Sequence, residues 1–202
     1  MSLWQKIKNI LGGTPEEQPQ EIHSPSAPNR TKAASRPRVT EEAAPVRKNE
    51  HSNASTTGKI PISYDPNLIG QLQDDHQTLL REFTQVNFLA SDDQFENALT
   101  ALVKFRSKLL NHLHLENLKL YVYLQYSLTD KPEGYAQMRA FRKEMDAIGK
   151  VALDFFDRYE KEGLSAENKN EFLIDLSKIG NVLSKRIQQE EERLYTMYRD
   201  LA

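Results

Sequence analysis

His76, His112, Glu116, Glu190 and Arg186 stand where the helical pattern of this chain calls for apolar core residues. Imidazoles and carboxylates turned inward together form a ligand set for a divalent metal, because neutral nitrogen and anionic oxygen donors suit such ions. An inward arginine suits a different chemistry. Its guanidinium keeps its proton and cannot ligate, so its natural role among buried carboxylates is to pair with them. The chain has no cysteine, which removes thiolate ligands, disulfides and cysteine nucleophiles from consideration. Among the other histidines, His114 lies ~200° round the helix from His112 and belongs on the outer face. His23 and His51 fall in a stretch without apolar periodicity.

The elements that must position these groups are four helices. Apolar residues recur at Ile69, Leu72, Leu79, Phe83 and Val86, a three-four alternation whose missing member is His76. A second seam runs Ala98, Leu102, Phe105 and Leu109, meets His112 and Glu116, and returns to Leu120 and Tyr123. The third runs Met138, Phe141, Met145, Ile148, Ala152 and Phe155. The fourth runs Phe172, Leu176, Ile179 and Leu183, meets Arg186 and Glu190, and returns to Leu194 and Met197. Start and stop signals set the ends. Asp65-Pro66 opens the first helix, which reaches about Ala90, and Ser91 with Asp92 and Asp93 opens the second, which reaches about Ser127. Asp130 and Glu133 flank Pro132 at the start of the third, Gly163 stops it, and Ser165 caps the fourth. Short connections make neighbours antiparallel, so residues 65–202 are expected to form an all-α, up-down-up-down four-helix bundle with one polar interior site.

Composition confines the core to this region. All nine prolines except Pro132 lie at or before Pro66, leaving roughly 135 residues to bury a single core, which is ample. Residues 14–64 are rich in Pro, Ser, Thr, Asn, Glu and Arg and are expected to form a disordered linker with a reach of roughly 40 Å. Residues 1–13 place Leu3, Trp4, Ile7, Ile10 and Leu11 on one face of a short amphipathic helix, with lysines elsewhere. A helix of ~10 residues is marginal alone in water, so its stripe calls for a partner: an anionic membrane surface or a groove on another protein. The net charge of -2 and the lack of a basic stripe argue against nucleic acid. No apolar run approaches a membrane span and no secretory signal opens the chain, so the expected location is cytoplasmic, peripheral on the inner face of the membrane if the first helix binds lipid.

Asp75-His76 followed by Leu79, and above all His112-Leu113-His114-Leu115-Glu116 followed by Leu120-Tyr121, resemble the first two helices of hemerythrin-like (HHE cation-binding) domains. Arg186 to Glu190 followed by Leu194-Tyr195 repeats the second pattern, with Arg186 at the histidine position. Arg142-Lys143-Glu144-Met145 resembles the family's Glu-His segment, with Met145 replacing the histidine. The resemblance implies a bundle holding an oxo-bridged di-iron site for dioxygen binding or sensing. The ligands it carries over are His76, His112, Glu116 and either Glu190 or Glu191, while Gly149, four residues beyond Met145, offers no donor.

These departures give two readings of the interior beside the di-metal site that the resemblance implies. In the first, Arg186 replaces the metal's charge by pairing with Glu190 and Glu116, Met145 fills the remaining space, and no cofactor is bound. In the second, one iron or another divalent ion binds His76, His112, Glu116 and Glu190. The corresponding functions are a non-enzymatic signalling or adaptor protein with a degraded di-iron site, and a mononuclear sensor of oxygen, nitric oxide or redox state. A metal-dependent oxidase is the enzymatic variant of the second; no motif for nucleophilic catalysis or phosphate binding occurs.

Trp4 is the single tryptophan and reports directly on the amphipathic segment. Vesicles containing anionic lipid should blue-shift its emission, and Trp4→Ala should weaken vesicle binding by removing the largest interfacial group. An emission spectrum that vesicles leave unchanged would favour a protein partner instead.

Overall fold

The computed structural model of the chain describes residues 62–202. The expected amphipathic helix and nearly all of the expected linker lie outside them. Among the described residues the chain is wholly helical. Helix α1 is Leu68–Ser91. Helix α2 begins as Phe95–Leu115, passes through a π-helical turn, Glu116–Leu120, and ends as Tyr121–Ser127. Helix α3 is Pro132–Glu162, and α4 runs Lys169–Gln189, a second π turn Glu190–Leu194, and Tyr195–Arg199. Helix α1 packs on α2 and α4, and α3 packs on α2 and α4, closing a four-membered bundle.

The helix ends differ from the expected caps in physically simple ways. Asp65 and Pro66 form a turn before α1, in which Asp65 Oδ1 accepts the Asn67 N–H (3.0 Å). Ser91 finishes α1 and does not open α2, because Asp93 takes φ 60° and reverses the chain; Asp tolerates that left-handed conformation better than most residues. Lys169 at the start of α4 ties this corner down by donating to Asp93 Oδ1 and to the Ser91 carbonyl. Gly163 ends α3 with φ 78°. Ser165 serves the turn before α4, where its N–H is taken by Asn168 Oδ1 at 2.8 Å. Tyr64, assigned to the linker by composition, stacks on Tyr198 with ring centroids 5.0 Å apart. The packed unit therefore begins at least one residue before Asp65.

Two apolar clusters fill the bundle. The larger takes Leu79, Phe83 and Val86 from α1, Leu102 and Phe105 from α2, Phe155, Phe156 and Tyr159 from α3, and Phe172, Leu176 and Ile179 from α4. The smaller takes Leu68, Ile69 and Leu72 from α1, Leu120, Tyr121 and Leu124 from α2, Met138 and Phe141 from α3, and Leu194, Tyr195 and Tyr198 from α4. Between them along every helix lies a layer containing His76, His112, Glu116, Met145, Arg186 and Glu190, all buried. The π turns account for one departure from the expected seams. Each closes an i→i+5 bond, from the Tyr121 N–H to the Glu116 carbonyl and from the Tyr195 N–H to the Glu190 carbonyl. The extra residue turns Leu120 and Tyr121 inward together, and likewise Leu194 and Tyr195. Downstream on α4 it buries Tyr198 and leaves the expected Met197 only partly covered.

Leu102 is fully buried in the larger cluster. Leu102→Ala should lower stability by about 2–5 kcal/mol, as judged by chemical denaturation, while leaving the far-UV circular dichroism helical.

Candidate metal centre

The polar layer is two-sided. On one side, His76 from α1 and His112 from α2 stand with ring centroids 4.7 Å apart. His76 Nε2 lies 3.3 Å from Glu190 Oε2, and its Nδ1 pairs with Glu191 Oε1 at 2.9 Å. His112 Nε2 lies 3.9 Å from Glu116 Oε1, while Asp75 Oδ2 sits 3.7 Å from its Nδ1. Each imidazole thus turns Nε2 toward an interior carboxylate, but only His76 has a hydrogen-bonded acid behind Nδ1, the arrangement that fixes the tautomer and orientation of a metal-binding histidine. His112 Nδ1 is buried without a hydrogen-bond partner. His76, His112 and Glu190 each offer a donor atom within 4.8 Å of the others. Glu116 Oε2 is buried with no hydrogen-bond partner. Its second oxygen accepts from the Tyr195 hydroxyl at 3.2 Å.

The opposite side belongs to Arg186, among the largest fully buried side chains. Its Nε donates to Glu190 Oε1 (2.5 Å), Nη2 donates to the Tyr121 hydroxyl (2.9 Å), and Nη1 reaches Glu144 Oε2 (3.4 Å). The guanidinium also covers the Phe141 ring at 5.1 Å. The sequence-based expectation that Arg186 pairs with both interior glutamates holds for Glu190 alone. Glu116 makes no ion pair with it, because the Tyr195 hydroxyl meets Glu116 and Glu144 takes the remaining guanidinium face.

Charge follows from these contacts. Burial alone would lower the His76 pKa, but the hydrogen bonds to Glu190 and Glu191 outweigh it and carry the imidazole up to about 9. Burial together with the nearby Glu190 charge pushes the Glu116 carboxyl well above the usual carboxylate range. Burial acts the same way on Glu190, yet His76 and Arg186 hold it below that range. At neutral pH the layer therefore carries cationic His76 and Arg186 and anionic Glu190, with the Glu116 carboxyl biased toward its neutral form.

The donor set fits one divalent ion. Two imidazoles and the Glu190 carboxylate converge on one side, Glu116 Oε1 lies 3.9 Å from His112 Nε2, and His76 is oriented from behind by Glu191. It does not fit two ions. Arg186 fills the other side, Met145 supplies only a thioether, and a Cβ built on Gly149 would meet Leu113 at 3.6 Å with no polar group near. The two glutamates left as alternatives by the sequence divide the work: Glu190 is interior, and Glu191 reaches His76 from the rim. Asp75, Glu144 and the two tyrosines were not foreseen as parts of the site. The Leu-Tyr echoes were the signal for the tyrosines, since each closes its π turn with its hydroxyl in the polar layer. Exposed His114 takes no part.

The family model described as hemerythrin HHE cation binding domain matches residues 67–198, well over half of the chain. No curated protein and no solved structure matches it.

Proton linkage gives a test of the metal-free layer. The folded-state pKa of His76, about 9, lies above its unfolded value of 6.5, so its contribution is complete below pH ~6.5 and is lost as pH rises through 9. The loss should be on the order of 3 kcal/mol. Glu116 adds a decline of the same sign that starts nearer the ordinary carboxylate range. Denaturant titrations of chelator-treated protein should show this fall, and His76→Gln should flatten its upper part; a slope unchanged in the variant would refute the assignment.

Proposed function

The chain belongs to the hemerythrin HHE cation-binding family, and on that footing we propose that it is a non-enzymatic signalling module whose bundle holds one divalent metal, iron first. His76, His112 and Glu190 hold the ion and Glu116 completes the set. The observation that carries the reading is the convergence of three buried donors within 4.8 Å, with Glu191 hydrogen-bonded behind the His76 ring. A redox-active ion so held supplies an electron-accepting centre with coordination positions left over for a small ligand.

The chain's own residues prepare the site. Glu191 holds the His76 ring with Nε2 inward, which limits reorganisation on binding, and Asp75 stands 3.7 Å from His112 Nδ1. For His76 to act as a donor it must give up the proton that Glu190 and Glu191 hold on it, and Glu116 must give up any proton that burial favours on it, so loading releases protons. Beside the layer lies an apolar cavity of about 40 Å³, lined by Leu79, Phe83, Phe105, Leu109, Met145 and Leu183 and bounded by His112, Arg186 and Glu190. That is room for a small uncharged molecule or a few waters, and it supports sensing of oxygen, nitric oxide or redox state over action on a larger substrate.

One observation favours the metal-free adaptor as the second reading. His76 and Arg186 already offset Glu190 and Glu191, so the layer is close to charge-balanced without an ion. In either case the amphipathic segment carries the docking role, to an anionic membrane surface or a protein partner, in a cytoplasmic setting. Among the described residues no helix is long and apolar enough to cross a membrane.

Protein purified without chelator should contain about one metal ion per chain by elemental analysis. His76→Ala or His112→Ala should reduce uptake at least tenfold, and calorimetry in buffers of different ionisation enthalpy should reveal about one to two protons released per ion. Wild-type protein that takes up no iron, cobalt or manganese would leave the adaptor reading in place of the sensor.

A further inference from the structure

We infer that the Arg186 guanidinium occupies the place of a second cation, so that the layer is built for one metal beside one fixed organic charge. The inference rests on the one-metal reading above and adds what has become of the other half of the site.

The two halves of the bundle correspond position by position. Helices α1 and α2 contribute Asp75, His76, His112, Glu116 and Tyr121; α3 and α4 contribute Glu144, Met145, Arg186, Glu190 and Tyr195 in the same order. The π turns begin at Glu116 and Glu190 and are followed by Tyr121 and Tyr195. The contacts correspond as well. Asp75 stands behind His112 at 3.7 Å, and Glu144 stands behind Arg186 at 3.4 Å. Tyr195 crosses to Glu116 at 3.2 Å, whereas Tyr121, its counterpart, crosses to accept from Arg186 at 2.9 Å in place of a contact with Glu190. Arg186 therefore receives, in its half, the acidic and phenolic neighbours that a histidine and its carboxylate receive in the other.

Glu190 links the halves. One of its oxygens takes the Arg186 Nε–H, and the other faces His76 Nε2 at 3.3 Å. A carboxylate placed to join two cations here joins a guanidinium to the donor set of a single ion. No nitrogen donor remains in the second half: Arg186 cannot deprotonate, and Met145 and Gly149 lack one. A second divalent ion would also meet the buried positive charge, whose repulsion is strong in so dry a layer.

The test compares wild type, Arg186→Lys, Arg186→Gln and the double variant Met145→His/Arg186→His, each checked for helical circular dichroism and titrated anaerobically with Co(II). Bound metal is counted after gel filtration, and magnetic coupling between ions is read by electron paramagnetic resonance. Wild type and Arg186→Lys should saturate at one ion with affinities within about threefold of each other. Arg186→Gln should bind its ion at least tenfold more tightly, because the neighbouring positive charge is gone. The double variant should approach two ions with magnetic coupling. Two ions in wild type, or an affinity that Arg186→Gln does not raise, would overturn the inference while leaving metal binding intact. Wild type that takes up no metal overturns the one-metal reading instead; the inference is then decided by the double variant, upheld by metal uptake and overturned by none.

Discussion

Glu190 is 1% exposed between two apolar clusters, and an ionised carboxylate there is tolerated only because a positive group meets each of its oxygens. Removing one partner of such a buried pair typically costs about 3–5 kcal/mol, since the remaining charge is stranded. Arg186 in turn needs Tyr121 and Glu144 for its other nitrogens, and His76 needs Glu191. The requirement thus spreads from one carboxylate through α1, α2, α3 and α4, and it fixes which faces of all four helices meet at mid-height. Hydrophobic burial drives the assembly of the bundle, but it is indifferent to a rotation that exchanges one leucine for another. The polar layer is not indifferent.

The two π turns are part of the same solution. A regular α-helix that brings Glu116 or Glu190 inward would carry the tyrosine five residues later partly off the seam. Widening the turn by one residue keeps both the glutamate and the tyrosine in the layer while leucine still packs below. Such single-turn π segments concentrate at functional sites. Here one stands on the side that retains its histidine and one on the side that holds Arg186. The second turn has the same geometry as the first although Arg186, four residues before its glutamate, cannot ligate.

Much of this arrangement was legible in the sequence because amphipathic periodicity is strong wherever helices pack. His76, His112, Glu116, Arg186 and Glu190 announced themselves as polar residues in apolar seams, and all five are interior. The misses have physical reasons. Asp75 and Glu144 lie one residue off their seams, where a charged side chain ordinarily faces water, and only the distance to a ring or guanidinium nitrogen reveals their role. The π turns leave no mark in a pattern read at a constant 3.6 residues, so the inward positions beyond Leu194 were placed one residue early. Pairing partners also resist sequence reading: Arg186 could reach either glutamate by spacing, and the Tyr195 hydroxyl beside Glu116 settles which one it meets. Loop corners depended on backbone conformation, as at Asp93, more than on capping preference.

The place where the chain joins the bundle has a mechanical consequence. Tyr64 is stacked on Tyr198, the Tyr198 hydroxyl both receives the Asp65 N–H and donates to the Asp65 carbonyl, and Lys119 pairs with the Asp65 carboxylate. Lys119 lies inside the first π turn, and Tyr198 lies one turn beyond the second. A pull on the chain ahead of Tyr64 is therefore borne first by the two helical segments that carry Glu116 and Glu190, before the load reaches the larger apolar cluster. The anchorage and the polar layer share a lever arm of a few residues, so strain at one end of that lever is felt by the carboxylates at the other.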